Sequence, residues 1–435
     1  MRVRYLLVEE KLLKNRLLYN HNVQIIFLVF ILTLVCFYLC LESVFAENQS
    51  LEELYFEGVQ FLDSDEHARA INIFREILNI NPDHSESHFQ LGQIYRLTNQ
   101  PEKAKIYYQN AINLKPGYLS AYYNLGLVEL ELEEYSNALK SLIETIRIAP
   151  DFSDAHYSLG LTYLKTENIN LAIDSFNQSL QLTPGDYHSY YGLGLCYKEI
   201  GEFEQAIQSL NQTLEIKPDY GPAFHELGLI YKNIERYSEA ISALERAAHY
   251  LTEEAAQIYF QIGTIHQKLE NAEQAIESFE KAIQNNEEFV DAYYFLGWLY
   301  NQTAQFEQAI EAYQKVVELN PDYTHLFYNL GWVYNEANQY QDAIRAFEKA
   351  IEQSPDDADA HYALGWTYGK IEEYENANKA FLQTIRLEPD YIYAHYGLGV
   401  SYLALGERGL ALEEYKILKE LDNDIADLLF DQIYP

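Results

Sequence analysis

Eleven glycines mark the chain at an almost constant interval. Gly58, Gly92, Gly126, Gly160, Gly194, Gly228, Gly263, Gly297, Gly331, Gly365 and Gly399 stand 34 residues apart, with one step of 35 between Gly228 and Gly263. Twelve residues after each comes an alanine: Ala70, Ala104, Ala138, Ala172, Ala206, Ala240, Ala275, Ala309, Ala343, Ala377 and Ala411. A period of this length means one small supersecondary unit copied in tandem, each copy burying its apolar face on its neighbours. Leu or Ile precedes the glycine in ten of the eleven units, and a Tyr often follows it by three, as at Tyr95, Tyr163, Tyr197 and Tyr300. An aromatic or Leu follows the alanine by four, as at Phe74, Phe176, Phe279 and Phe347. A proline commonly closes the unit: Pro82, Pro116, Pro150, Pro184, Pro218, Pro321, Pro355 and Pro389.

Apolar residues three and four apart on both sides of a short break describe two amphipathic helices. Glycine inside a helix costs about 1 kcal/mol relative to alanine, so eleven of them need a reason. The expected reason is close backbone approach. The glycine of the first helix would cross the alanine of the second where any larger side chain over-packs. Turns such as Thr98-Asn99-Gln100 or Glu372-Glu373 join the two helices, and proline followed by Asp or Gly stops the second.

The pattern resembles the tetratricopeptide repeat family. Tyr293, Leu296, Gly297, Tyr300, Ala309, Tyr313 and Pro321 stand at the family's signature positions within a single unit. The resemblance covers eleven repeats: 51–84, 85–118, 119–152, 153–186, 187–220, 221–255, 256–289, 290–323, 324–357, 358–391 and 392–425. It implies an all-α fold, a right-handed α-solenoid of helix-turn-helix units. A tail, 426–435, follows, with Leu428, Leu429 and Ile433 available to cover the last repeat. Glu57 replaces the expected Leu in repeat 1, which suits a terminal unit. Glu129 replaces the usual aromatic in repeat 3, and repeat 6 carries one extra residue near 250–256.

Residues 1–46 read as a targeting segment. Arg2, Arg4, Lys11, Lys14 and Arg16 precede an uncharged run from Val23 to Leu41, and Glu42, Glu47, Glu52 and Glu53 follow it. As a helix the run is about 28 Å long, close to the thickness of a hydrocarbon core. The charge asymmetry places the N-terminus in the cytoplasm and the repeats outside it. Val44-Phe45-Ala46 before Glu47 fits a signal-peptidase site, whereas the long apolar run suits an uncleaved anchor. The expectation is an exported protein, secreted or membrane-anchored, that touches membrane only through this segment.

Charge and motif content narrow the function. With 30 Lys and Arg against 66 Asp and Glu, the formal net charge is −36, a surface that repels phosphate backbones and excludes a nucleic-acid partner. Repeats fill residues 51–425 and leave no room for a catalytic domain. No phosphate-binding loop, HExxH, CxxC or serine elbow is present, so neither enzyme activity nor a cofactor is expected. Gly192-x-Gly194 and Gly397-x-Gly399 fall inside repeat helices rather than in a dinucleotide loop. Cys196 lies on an apolar helix face and reads as a buried thiol. His88, His156, His361 and His395 share one repeat position; a helix-seam role is expected, and no metal site.

What remains is a binding surface. By the resemblance, the second, fifth, ninth, twelfth and thirteenth residues of each repeat line a concave groove that takes extended ligands. The ninth position gives Leu127, Leu161, Leu195 and Leu229 in repeats 3–6, then Trp298, Trp332 and Trp366 in repeats 8–10. Each Trp follows a Tyr by one helical turn, at Tyr294, Tyr328 and Tyr362. Trp and Tyr dominate interface hot spots, so the expected function is a non-catalytic scaffold binding extended or helical segments of other proteins. The alternative is a carbohydrate-binding periplasmic scaffold, its Tyr/Trp ladder stacking on sugars in polysaccharide handling or export.

Overall fold

The computed structural model describes residues 50–435 together with Lys11, Val29, Phe30, Leu32, Thr33, Cys36 and Phe37. The expected apolar span 23–41, as a whole, and the cleavage position after Ala46 therefore lie outside the described residues. No helix among the described residues is long and apolar enough to cross a membrane.

All regular structure among the described residues is helical. The chain divides into two compact units, Met1–Glu202 and Phe203–Pro435. The first holds α1 (50–63), α2 (His67–Ile80), α3 (Ser85–Leu97), α4 (Pro101–Leu114), α5 (Leu119–Glu131), α6 (Tyr135–Ile148), α7 (Ser153–Lys165), α8 (Ile169–Leu182) and α9 (Tyr187–Glu199). The second begins with α10 (Phe203–Ile216), α11 (Gly221–Asn233), α12 (Tyr237–Tyr250), α13 (Ala255–Lys268) and α14 (Ala272–Asn285). It continues through α15 (Val290–Gln302), α16 (Phe306–Leu319), α17 (Leu326–Glu336), α18 (Tyr340–Gln353) and α19 (Ala358–Lys370). It ends with α20 (Tyr374–Leu387), α21 (Ile392–Ala404), α22 (Arg408–Leu421) and α23 (Asn423–Ile433). Within each unit every helix packs on the next, and the tightest pairs are those inside a repeat, such as α3 with α4 or α11 with α12.

All eleven repeat alanines are fully buried. The glycines meet something other than the expected backbone. A Cβ on Gly331 would stand 2.6 Å from Phe347 Cε1, one on Gly92 2.6 Å from Tyr108 Cε1, and one on Gly297 2.8 Å from Tyr313 Cε1. The space is claimed by the side chain sixteen residues on, a ring or a Leu from the second helix. Backbone stands among the nearest atoms at Gly126, where Leu142 N would lie at 3.5 Å, and at Gly228, where Ala240 O would lie at 3.3 Å. The fingerprint-like glycines have the same explanation: Phe176 lies against both Gly160 and Gly192, and Phe381 against both Gly365 and Gly397.

The turn inside each repeat is a Schellman motif. Asn99 sits at φ +55°, its N–H donates to Arg96 O at 3.0 Å, and Gln100 N–H donates to Tyr95 O at 2.8 Å, which satisfies carbonyls the helix end would leave bare. The same left-handed residue recurs at Asp65, Glu133, Glu167, Glu235, Glu270, Ala304, Asn338 and Glu372, and is glycine only at Gly201 and Gly406. The extra residue of repeat 6 is absorbed as a fourteenth residue of α13. Helix α17 starts late, behind a left-handed His325.

The shared histidine position closes the junction between repeats. The Nε2 atoms of His88, His156, His361 and His395 lie 3.0, 2.9, 3.0 and 2.8 Å from the carbonyls of Pro82, Pro150, Pro355 and Pro389. Each ring thus ties a helix to the proline six residues before it. No group of three or more His, Cys, Asp and Glu suited to a metal ion occurs among the described residues.

At the C-terminus the covering element is α23, capped by the Asp422 side chain, which accepts from Asp424 N–H and Ile425 N–H. Leu429 and Ile433 are buried, and Leu429 takes the place beside Gly399 that a side chain sixteen residues on fills in other repeats. Leu428 instead points outward and is 52% exposed, because the helix phase that buries Leu429 turns its neighbour to solvent.

Candidate partner-binding surface

In the second unit the aromatic residues of α15, α17 and α19 rise in two rows. The fifth-position tyrosines are anchored from below. Tyr294 packs on Tyr313 and Tyr323 at centroid distances of 5.7 and 4.7 Å, and Tyr362 on Phe381 and Tyr391 at 5.9 and 5.2 Å. Tyr328 meets Phe347 at 6.1 Å. The Tyr294 hydroxyl accepts a hydrogen bond from Asn329 Nδ2 of the next repeat at 2.7 Å, and Gln90 to Tyr55 repeats that tie in the first unit at 2.9 Å. These tyrosines are half-buried structural posts.

The tryptophans differ from one another. Trp298 is 37% exposed. Trp332 and Trp366 are half-buried, and their ring centroids lie 5.5 Å apart. Trp332 also packs edge-on against Phe347 at 5.7 Å and Tyr328 at 6.3 Å, so packing and exposure coexist on one side chain. The Lys370 ammonium lies 4.6 Å from the Trp366 ring centroid. Leu127, Leu161 and Leu195 in the first unit and Leu229 in the second are likewise half-buried.

Sequence reasoning missed the polar partners of this surface. Tyr323 OH donates to Asp291 Oδ1 at 2.8 Å, and Tyr391 OH to Asp359 Oδ1 at 2.6 Å. Burial first, and then these carboxylates, push both hydroxyls well above the usual tyrosine range. The signal lay in the spacing: Asp291 with Tyr323 and Asp359 with Tyr391 repeat a 32-residue pair at a 68-residue interval.

A smaller polar cleft, about 330 Å³, opens in the first unit between Gln93, Arg96, Leu97, Tyr108, Asn124 and Glu131. Arg96 donates to Glu131 Oε1 at 2.8 Å and to Asn124 Oδ1 at 3.3 Å. At the other end of α3, Glu86 is held down at about 2; partial burial works against the charge, and Lys115 Nζ at 2.9 Å with the Ser85 hydroxyl overcomes it. Cys196 is fully buried, and desolvation pushes its thiol up to about 12, which leaves it unreactive.

Comparison with known proteins agrees with this architecture. Family models described as tetratricopeptide repeat match residues 61–126, 119–152, 151–219, 221–248, 256–289, 290–323, 312–345 and 362–424. One described as TPR repeat matches 331–372. No curated protein sequence matches the chain. Among solved structures, MamA is 29% identical over 40% of this chain and 95% of its own, with a TM-score of 0.38. YrrB, described as a TPR protein with an unusual peptide-binding site, is 23% identical over 41% of this chain and 91% of its own, with a TM-score of 0.36. The C-terminal part of a TPR repeat-containing protein from Cytophaga hutchinsonii is 21% identical over 56% of this chain and 99% of its own, with a TM-score of 0.48. From the 34-residue period, the paired helices and the family models that together run from residue 61 to 424, the chain belongs to the tetratricopeptide repeat family.

Proposed function

We propose that this protein is a non-catalytic scaffold whose Trp298, Trp332 and Trp366 surface holds an extended or helical segment of another protein. The observation that carries this reading is the half-open Trp332–Trp366 pair, set on rigid tyrosine posts beside the more exposed Trp298. Large apolar rings held in place but left partly open gain most from burial by a partner. Leu127, Leu161, Leu195 and Leu229 provide milder apolar contacts. The charge asymmetry around 23–41 supports export, with the repeats outside the cytoplasm and either secreted or membrane-anchored.

The test replaces Trp298 with Ala, since no aromatic contact is lost there. Binding of a partner segment is expected to fall about thirtyfold, the roughly 2 kcal/mol of a hot-spot truncation, with the melting curve unchanged. Unchanged binding to both Trp298→Ala and Trp332→Ala variants would remove these residues from the site. A second reading, in which the same rings stack on sugars, draws on the half-open Trp faces as well; neutral glycan binding would be indifferent to salt, whereas capture of a charged segment weakens with it. For the location, a reporter active only after export, fused after Pro435, should be active; activity of a cytoplasmic reporter alone would refute export.

A further inference from the structure

The aromatic surface and the carboxylates of the second unit are one continuous patch. Tyr391, which donates to Asp359, stacks on Tyr362 at 5.2 Å. Asp359, Tyr362 and Trp366 stand at i, i+3 and i+7 of α19 and so share one face of that helix. Tyr328 packs on Trp332, and Trp332 on Trp366. Asp359 and Asp291 are exposed, each accepts a tyrosine hydroxyl through one oxygen only, and among the described residues no Lys or Arg pairs with either. An exposed carboxylate held through one oxygen by a neutral donor has its second oxygen to offer a partner.

The chain itself shows what the rings accept, since the Lys370 ammonium already lies over Trp366. A cation over an indole face is drawn by the ring quadrupole. Resting on the groove reading above, we infer that the patch formed by Asp359, Tyr391, Trp332 and Trp366 recognises a cationic segment of a partner protein. An arginine of that segment stacks on the indoles and turns its fork toward Asp359. Arginine suits the place better than lysine because its planar, weakly hydrated guanidinium stacks and pairs in two directions at once. The net charge of −36 on the whole chain complements such a partner and speeds its approach.

The probe is a twelve-residue acetylated peptide of alternating Arg and Ala, compared with the same peptide carrying citrulline, the neutral isostere of arginine. Binding is followed by indole fluorescence and calorimetry on the full chain. The arginine peptide should bind at least about tenfold more tightly than the citrulline peptide. Asp359→Asn and Trp332→Ala should each weaken it about fivefold or more, and Glu352→Gln, an exposed acid on α18, should not. Trp332→Phe keeps a ring against Phe347 and guards against a folding defect; it should retain stability and lose part of the affinity. Equal binding of both peptides, or of neither, overturns the inference. An equal loss from Glu352→Gln also overturns it, because the attraction is then diffuse charge. If an uncharged apolar peptide binds and Trp298→Ala weakens it while the arginine peptide has no advantage, the groove reading survives and the cation preference falls.

Discussion

Glu129 shows how far a single residue can depart from its repeat. It fills a position that is Tyr163 and Tyr197 in the next two repeats, is 3% exposed, and accepts from Ser141 Oγ at 2.6 Å. Burial raises its pKa from 4.5, with the Ser141 hydroxyl working the other way. Because the folded-state value lies above the unfolded one, the favourable contribution is complete below about pH 4.5 and is lost as pH rises through the folded value. At neutral pH a buried carboxylate is therefore a cost. Glu129→Gln keeps an acceptor for Ser141 without the charge, and should stabilise the first unit by about 1 kcal/mol at pH 7. It should also flatten the pH dependence of melting above pH 4.5. A less stable Glu129→Gln protein would mean that the carboxylate is a favourable partner in this seam.

At the scale of the helix, one buried charged contact joins α21 to α22. His395 Nδ1 lies 2.6 Å from Glu414 Oε2, and both side chains are almost fully buried. Carboxylate and carbonyl can only accept, so both ring nitrogens donate, and the imidazolium is the form that fits. Burial opposes the charge, but Glu414 and the Pro389 carbonyl together raise the pKa above 6.5. The contact therefore contributes fully below about pH 6.5 and is lost as pH climbs through the raised value. Glu414→Gln should cost about 3 kcal/mol at pH 6, the typical result of stranding a buried partner. The deficit against wild type should shrink at higher pH, and a constant deficit would mean a neutral ring. Much at this scale was legible beforehand. The helix pairs and the shared histidine seam follow from spacing, because a helical period and a stop signal are local properties of the chain. The proline carbonyl that holds each histidine was not legible, nor was the ring or Leu that claims each glycine's space. Those partners are fixed by how two helices cross, and residue type alone leaves many candidates. The Asp–Tyr pairs of the candidate surface were hidden similarly, since acids are abundant everywhere in so anionic a chain.

For the whole molecule, stability is a chain of neighbour contacts rather than one shared core. Its buried apolar residues form separate clusters along the repeats, such as the one around Tyr313, Val316, Leu326 and Leu330. Ala309→Leu over-packs one helix crossing by roughly 1–3 kcal/mol. Hydrogen exchange should then quicken in α15, α16 and the helices next to them, while α3 and α4 keep their protection. Uniform quickening from end to end would contradict that division. The rings wedged against glycines carry a further consequence. Phe176 lies against both Gly160 and Gly192, and Phe381 against both Gly365 and Gly397. In so closely packed an interior, such a ring should spin about its axis only when the neighbouring helices part for an instant. Its two edges should thus give separate magnetic-resonance signals that merge on warming, and the merging temperature is a clock for how often adjacent repeats breathe.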